Sequence, residues 1–205
     1  RYFPADMCLK LKDQSRHITY RIQRLFAAEK YSAGNFNRIV IEPSLNPTGQ
    51  IIINSESVAN ISIPFDMKMF QKSTDGELRY YHASLIKNGL LEFNRQIRIP
   101  IERILEVIDE LESNNFIDSW IYKEKSIRKS KTKAKLTCFM DSKAFVLNLA
   151  IEKDGVVLHD GNILETPPDE VSFHYKFKDL VVTDDHVAVT KRIPRDEILI
   201  KVPLA

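Results

Sequence analysis

A proline at position 100 divides the middle of this chain into two periodicities. Before it, Ile97-Arg98-Ile99 alternates like the end of a strand. After it, Ile101, Ile104, Leu105, Ile108 and Leu111 recur at i, i+3, i+4 and i+7, the spacing that lines one face of a helix. Pro100 suits a helix start, because its missing N–H has no partner there anyway. Glu102 places an anion where the helix dipole favours one. Asn114-Asn115 are suitable stop residues. The spacing therefore predicts a helix from Pro100 to about Asn114, with its apolar face buried against a sheet. Its outer face carries Glu102, Glu106, Asp109, Glu110 and Glu112 against one cation, Arg103. Phe116-Ile117-Asp118-Ser119-Trp120 follows, and then a basic run. Lys123 to Lys135 holds seven Lys or Arg and one Glu in thirteen residues.

The chain before this centre reads as mixed helix and strand. Ser15 is a candidate cap for a helix from about Arg16 to Tyr31. Ile18, Ile22, Leu25 and Phe26 form its buried face, and His17, Arg21 and Arg24 form a basic one. Ala33-Gly34-Asn35 would stop it. Arg38–Glu42 and Gln50–Asn54 read as strands, and the turn-forming residues between them predict a hairpin. Ala59, Ile61 and Ile63 alternate with polar residues as a third, half-buried strand. Phe65 to Gln71 reads as a short helix. Leu78 to Ile86 fits either periodicity, and Asn88-Gly89 is a strong hairpin signal that favours strands on both sides.

The chain after the basic run reads as antiparallel β. Leu136–Met140 and Phe145–Ile151 are apolar. Asp154-Gly155 predicts a type I′ turn. Val171, Phe173, Tyr175 and Phe177 alternate like a strand. Thr183-Asp-Asp-His186 reads as a turn, and Ile198, Ile200 and Val202 as a last strand. The fold class expected is α+β: a mixed helix and antiparallel-sheet part at 1–118, a basic connector or hairpin at 119–136, and a mostly antiparallel β part at 137–205. The two parts could equally form one compact domain. The string Arg-Ile-Pro-x-acid-x-Ile-Leu recurs at Arg98–Leu105 and Arg192–Leu199. It reads as convergence of strand-to-helix junctions rather than as a duplication.

Composition narrows the functional classes. Hydrophobic content is 43% and charged content 28%, ordinary for a globular chain. No apolar run approaches the roughly 18 residues of a membrane span. Arg1–Asp6 has no signal-peptide apolar stretch. Two cysteines, Cys8 and Cys138, lack metal-type spacing, so a reducing, cytoplasmic setting is expected. Net charge is only +2. Residues 1–100 hold 14 cations against 9 carboxylates, and residues 137–205 hold 8 against 12.

No catalytic motif stands out: there is no Gly-x-Ser-x-Gly and no glycine-rich phosphate loop. His159-Asp160, His174 and Asp184-Asp185-His186 would need side-by-side strands to bind a metal, and no metal or cofactor is expected. Cys138 in an apolar strand reads as an inert buried thiol. The leading reading is a non-catalytic protein–protein interaction module, such as an adaptor, regulatory subunit or inhibitor, with no membrane partner. The alternative is nucleic-acid binding through Arg21, Arg24, Trp120, Lys123, Lys125, Arg128, Lys129, Lys131, Lys133 and Lys135. Cations would release counterions from phosphates, and Trp120 and Tyr122 would stack on bases. Helix plus basic strand–turn–strand has the layout of a winged helix, but five carboxylates on the helix oppose docking in a major groove. A hydrolase or metal-dependent enzyme ranks third.

Overall fold

The computed structural model describes residues 5–31 and 34–204, with side chains from residue 7. The chain divides into two compact units, Arg1–Phe116 and Ile117–Ala205. The described residues form five helices and ten strands in three mostly antiparallel sheets, an α+β architecture. None of these helices is long and apolar enough to cross a membrane. The chain start Arg1–Pro4, and Ala33 of the expected helix stop, lie outside the described residues.

The first unit contains α1 (Ala5–Glu29), β1 (Arg38–Ser44), β2 (Ile51–Ile53), β3 (Val58–Pro64), α2 (Met67–Lys72), α3 (Asp75–Gln96) and α4 (Ile101–Ser113). Its sheet has the order β1-β3-β2, with β1 parallel and β2 antiparallel to β3. The expected β1–β2 hairpin is therefore wrong: the two strands flank β3 and do not pair. Pattern explains the placement. β3 alternates cleanly and buries Ala59, Ile61 and Ile63, whereas β2 is three consecutive isoleucines and sits at an edge with Ile52 exposed. The loop between β1 and β2 is held across β3 instead, where Thr48 N donates to Ser62 Oγ at 2.9 Å.

The largest correction concerns α3, which runs as one helix through Asn88-Gly89 where strands and a turn were expected. Thr74 starts it with a capping box. Its hydroxyl accepts from Glu77 N, and the Glu77 carboxylate accepts from Thr74 N at 2.8 Å. Gly89 has a packing role rather than a turn role. A Cβ there would lie 2.5 Å from Ile41 Cγ2 and 3.0 Å from Ile41 Cδ1. Only a residue without a side chain lets α3 approach β1 this closely.

α4 matches its predicted span and buries Ile101, Ile104, Ile108 and Leu111. Two details differ. Leu105 is half-buried while Val107 is buried, and the main neighbours of α4 are α1 and α3 rather than the sheet. α1 begins at Ala5, eleven residues before the predicted start at Arg16. Ser15 lies inside it and donates back to Leu11 O at 2.8 Å, as a mid-helix serine does. His17, expected on the basic face, is fully buried and edge-on to Phe116 at 6.0 Å.

The second unit contains β4 (Asp118–Ile127), β5 (Thr132–Met140), β6 (Phe145–Lys153), β7 (Val156–Thr166), α5 (Glu170–Phe173), β8 (Asp179–Val182), β9 (His186–Thr190) and β10 (Ile198–Pro203). β4 to β7 form a meander, and β8 to β10 form a separate three-stranded antiparallel sheet. The stretch 119–136 is thus a hairpin built into the sheet. Asp154 and Gly155 both have positive φ, 52° and 82°, as a type I′ turn requires. β5 buries Ala134, Leu136, Cys138 and Met140, and β6 buries Phe145, Leu147, Leu149 and Ile151. The repeated Arg-Ile-Pro string serves two different ends: Pro100 opens α4, whereas Pro194 lies in the turn before β10.

Val171 to Phe177 is not a strand. Asp169 caps α5 by accepting from Val171 N at 3.1 Å, and the chain turns through His174 to Phe177. Phe173 and Phe177, four residues apart, then fall on one side and are 2% and 4% exposed. They join Phe145 in a stack, with Phe145 and Phe173 centroids 3.8 Å apart and planes 10° from parallel. Burial of these rings outweighs the two-residue alternation that suggested a strand.

Candidate interaction site

The basic run is spread over β4, a turn and β5, and this geometry divides its charge. In the antiparallel register Lys123 lies opposite Leu136 and Lys125 opposite Ala134, so both point toward the buried side of the sheet. There both ammonium groups reach Asp179 of β8, at 2.8 and 3.4 Å. The bond from Lys123 leads in holding the Asp179 carboxyl below its usual range. Lys133 and Lys135 alternate with Ala134 and point the other way. Lys133 lies 4.0 Å from Glu152, and Lys131 lies 3.3 Å from Asp154. Arg128 and Lys129 are exposed in the turn. One continuous cationic strip does not form.

The other expected nucleic-acid contacts are also dispersed. Trp120 is half-buried, 6.1 Å from the Phe145 ring, and Tyr122 packs edge-on to Phe177 and donates to Lys178 O at 3.0 Å. In the first unit Arg21 reaches Glu110 of α4 at 3.4 Å, and Arg24 lies over the Tyr20 ring at 5.8 Å. The acidic face of α4 is partly neutralised as well. Lys87 bonds both Asp109 and Glu112, at 2.6 and 2.7 Å. Burial alone would lower the Lys87 pKa, but these two carboxylates hold it above its usual value.

A cleft of about 590 Å³ opens in the second unit where β7 ends. Glu165, Thr166 and Pro167 form one wall, Val171 and Ser172 of α5 a second, and Tyr175, Lys176 and Ile193 the rest. Because Phe173 and Phe177 turn inward, Val171 and Tyr175 turn outward, 71% and 48% exposed. Ile193 is 61% exposed, and its N–H donates to Tyr175 O at 3.1 Å, which fixes these two residues side by side. His174, edge-on to Tyr175, has its pKa lowered by burial and then by Arg192. Large apolar side chains around a polar-rimmed hollow can seat an apolar side chain from a partner.

Comparison of the chain with protein-family models, with curated proteins and with solved structures gives no match.

A second hollow, of about 460 Å³, lies in the first unit between the Pro47–Gly49 loop and the Asn88–Arg95 part of α3. Gln96, the last residue of α3, ties this loop to the helix by donating to Gly49 O and accepting from Ile51 N. No group of three or more His, Cys, Asp or Glu placed to hold a metal occurs among the described residues. Sequence reading missed Val171, Tyr175 and Ile193. A signal was present: Asp169 before Glu170-Val171 is a helix cap, and Phe173 and Phe177 have helical spacing.

Proposed function

We propose that this protein is a non-catalytic module that binds a protein partner, as an adaptor, regulatory subunit or inhibitor does, and that the cleft at the end of β7 receives the partner's anchor. One observation carries this reading: Val171, Tyr175 and Ile193, all strongly exposed, surround a single cleft of about 590 Å³ flanked by Glu165 and Lys176. Apolar side chains grouped around a hollow with a polar rim have the anatomy of an interface centre. Charge layout favours a protein over nucleic acid. The cations of the basic run split between two sides of a sheet, and Lys123, Lys125, Lys131 and Lys133 each have a carboxylate of the same unit within 4.0 Å. Exposed, free Cys8 suits a reducing, cytoplasmic setting.

The test places a photo-crosslinking residue at Tyr175 and irradiates the full chain in lysate of its source cells, with and without nuclease. The expected result is one discrete protein adduct, insensitive to nuclease and lost when Val171→Glu is added. Loss of the adduct on nuclease treatment would move the reading to nucleic acid. An adduct that survives Val171→Glu, or no discrete adduct, would remove the cleft from consideration.

A further inference from the structure

Two hairpins, β4–β5 and β6–β7, end side by side at one margin of the four-stranded sheet. Thr132 pairs with Lys153, Asp154 N donates to Lys131 O at 3.3 Å, and the Lys131 ammonium lies 3.3 Å from the Asp154 carboxylate. Residues 126–135 and 151–158, which make up the two tips, carry six cations and two carboxylates. Arg128, Lys129, Lys131 and Lys133 are exposed. Across β6 from them, β7 begins with Val156, Val157 and Leu158, 61%, 65% and 39% exposed. Neighbouring residues of a strand face opposite sides, so aliphatic carbon is offered on both sides of this edge. The cleft described above lies at the far end of the same strand.

We propose that the paired tips form a second docking surface, which takes an acidic segment of a partner protein with aliphatic side chains between its carboxylates. This inference rests on the protein-partner reading above. Positive charge beside bare aliphatic carbon calls for a ligand that supplies both complements. Nucleic acid supplies only the charge, and residues 126–135 and 151–158 contain no aromatic residue on which a base would stack. An anionic bilayer is usually gripped by interfacial aromatics, which are absent from the same residues. A uniformly negative bilayer would also repel Glu152 and Asp154, which sit among the cations. A peptide can instead distribute its carboxylates around them. The segment is held by side chains rather than as a fifth strand. The pairing of β7 with β6 shifts register twice, and such bulges discourage regular strand addition at an edge.

Fluorescence anisotropy with the full chain and labelled synthetic peptides tests this. The probes are a peptide alternating Glu and Leu, one alternating Glu and Ser, and one alternating Lys and Leu. Vesicles containing phosphatidylserine and a single-stranded DNA oligonucleotide complete the set. The Glu–Leu peptide binds best, and raising salt from about 50 to about 300 mM weakens it. Arg128→Glu with Lys129→Glu weakens it roughly tenfold or more, and Val157→Ser weakens it several-fold. All three positions are exposed, and near-UV circular dichroism checks that the variants keep the wild-type fold. Equal binding of the three peptides, indifference to the tip substitutions, or binding of vesicles or DNA in place of the peptide would overturn the proposal. Tyr175→Ala leaves the peptide affinity unchanged. If cleft crosslinking fails while the peptide still binds, the tips stand and the cleft falls. The reverse pattern removes the tips alone.

Discussion

Replacing Gly89 by Ala sets two opposed effects against each other, and the structure decides which wins. In an exposed helix the change would stabilise by about 1 kcal/mol, because Ala loses less backbone entropy than Gly. Here the new methyl would meet Ile41 at 2.5 Å from Cγ2 and 3.0 Å from both Cγ1 and Cδ1. All three contacts fall well inside the normal carbon separation of about 3.5–4.0 Å. Ile41 sits in β1, in register with Ile61 of the central strand, and a β-branched side chain has few rotamers to retreat into. Relief therefore requires α3 and β1 to separate, at the upper part of the roughly 1–3 kcal/mol that overpacking costs. The net expectation is a loss of about 1–2 kcal/mol. Urea unfolding followed by circular dichroism at the helix band reads this unit, which holds the four longest helices. The midpoint should fall by roughly 0.5–1 M. Adding Ile41→Ala to Gly89→Ala should recover stability relative to the sum of the single changes. A raised midpoint for Gly89→Ala, or strict additivity of the pair, would refute the close-approach argument.

Ile104→Ala and Leu105→Ala should separate by burial. Ile104 is fully buried and its truncation should cost about 2–5 kcal/mol in the same assay, while half-buried Leu105 should cost clearly less. His82, 2% exposed, bonds Gln14 Oε1 at 3.1 Å through Nε2, and burial followed by the nearby Lys10 pushes its pKa down to about 4. Its neutral form is favoured in the fold, so this contribution is complete above the unfolded value near 6.5 and is lost as pH falls toward 4. The loss amounts to up to about 3 kcal/mol. Midpoints measured from pH 7.5 down to 5 should show the decline, and His82→Leu should flatten it. An unchanged slope in that variant would count against His82 as the titrating group.

Elements whose identity depends on their own periodicity were legible in the sequence. α4 could be read from Ile101, Ile104, Ile108 and Leu111, and the β6–β7 turn from Asp154-Gly155, because burial and backbone demands there are local. The misread elements were decided by partners distant in sequence. Asn88-Gly89 has turn chemistry, yet the glycine is needed for contact with Ile41, 48 positions earlier. β1 and β2 are separated by a fine hairpin loop, yet each finds a better neighbour in β3, the strand with the cleanest apolar alternation. The cleft was missed for a related reason, although the Asp169 cap and the spacing of Phe173 and Phe177 pointed to a helical turn. Val171-x-Phe173-x-Tyr175-x-Phe177 reads as one apolar face until the stack with Phe145 takes two of its members inward. The charge of the basic run was legible, but its division between Asp179 on one side and Glu152 on the other follows from strand register.

That ring stack also has a thermodynamic consequence for binding. Phe173 and Phe177 are held inward, so Val171 and Tyr175, which alternate with them, are held outward before any partner arrives. Ordering an interface loop on association consumes affinity, and a surface already fixed in its bound form avoids that loss. Association at the cleft should therefore proceed with little backbone rearrangement, as in complexes whose free and bound surfaces nearly coincide. Phe173→Leu would loosen the stack without removing any side chain that lines the cleft. Its penalty should appear as entropy: a weaker complex with a more favourable binding enthalpy, as new order forms at the moment of contact.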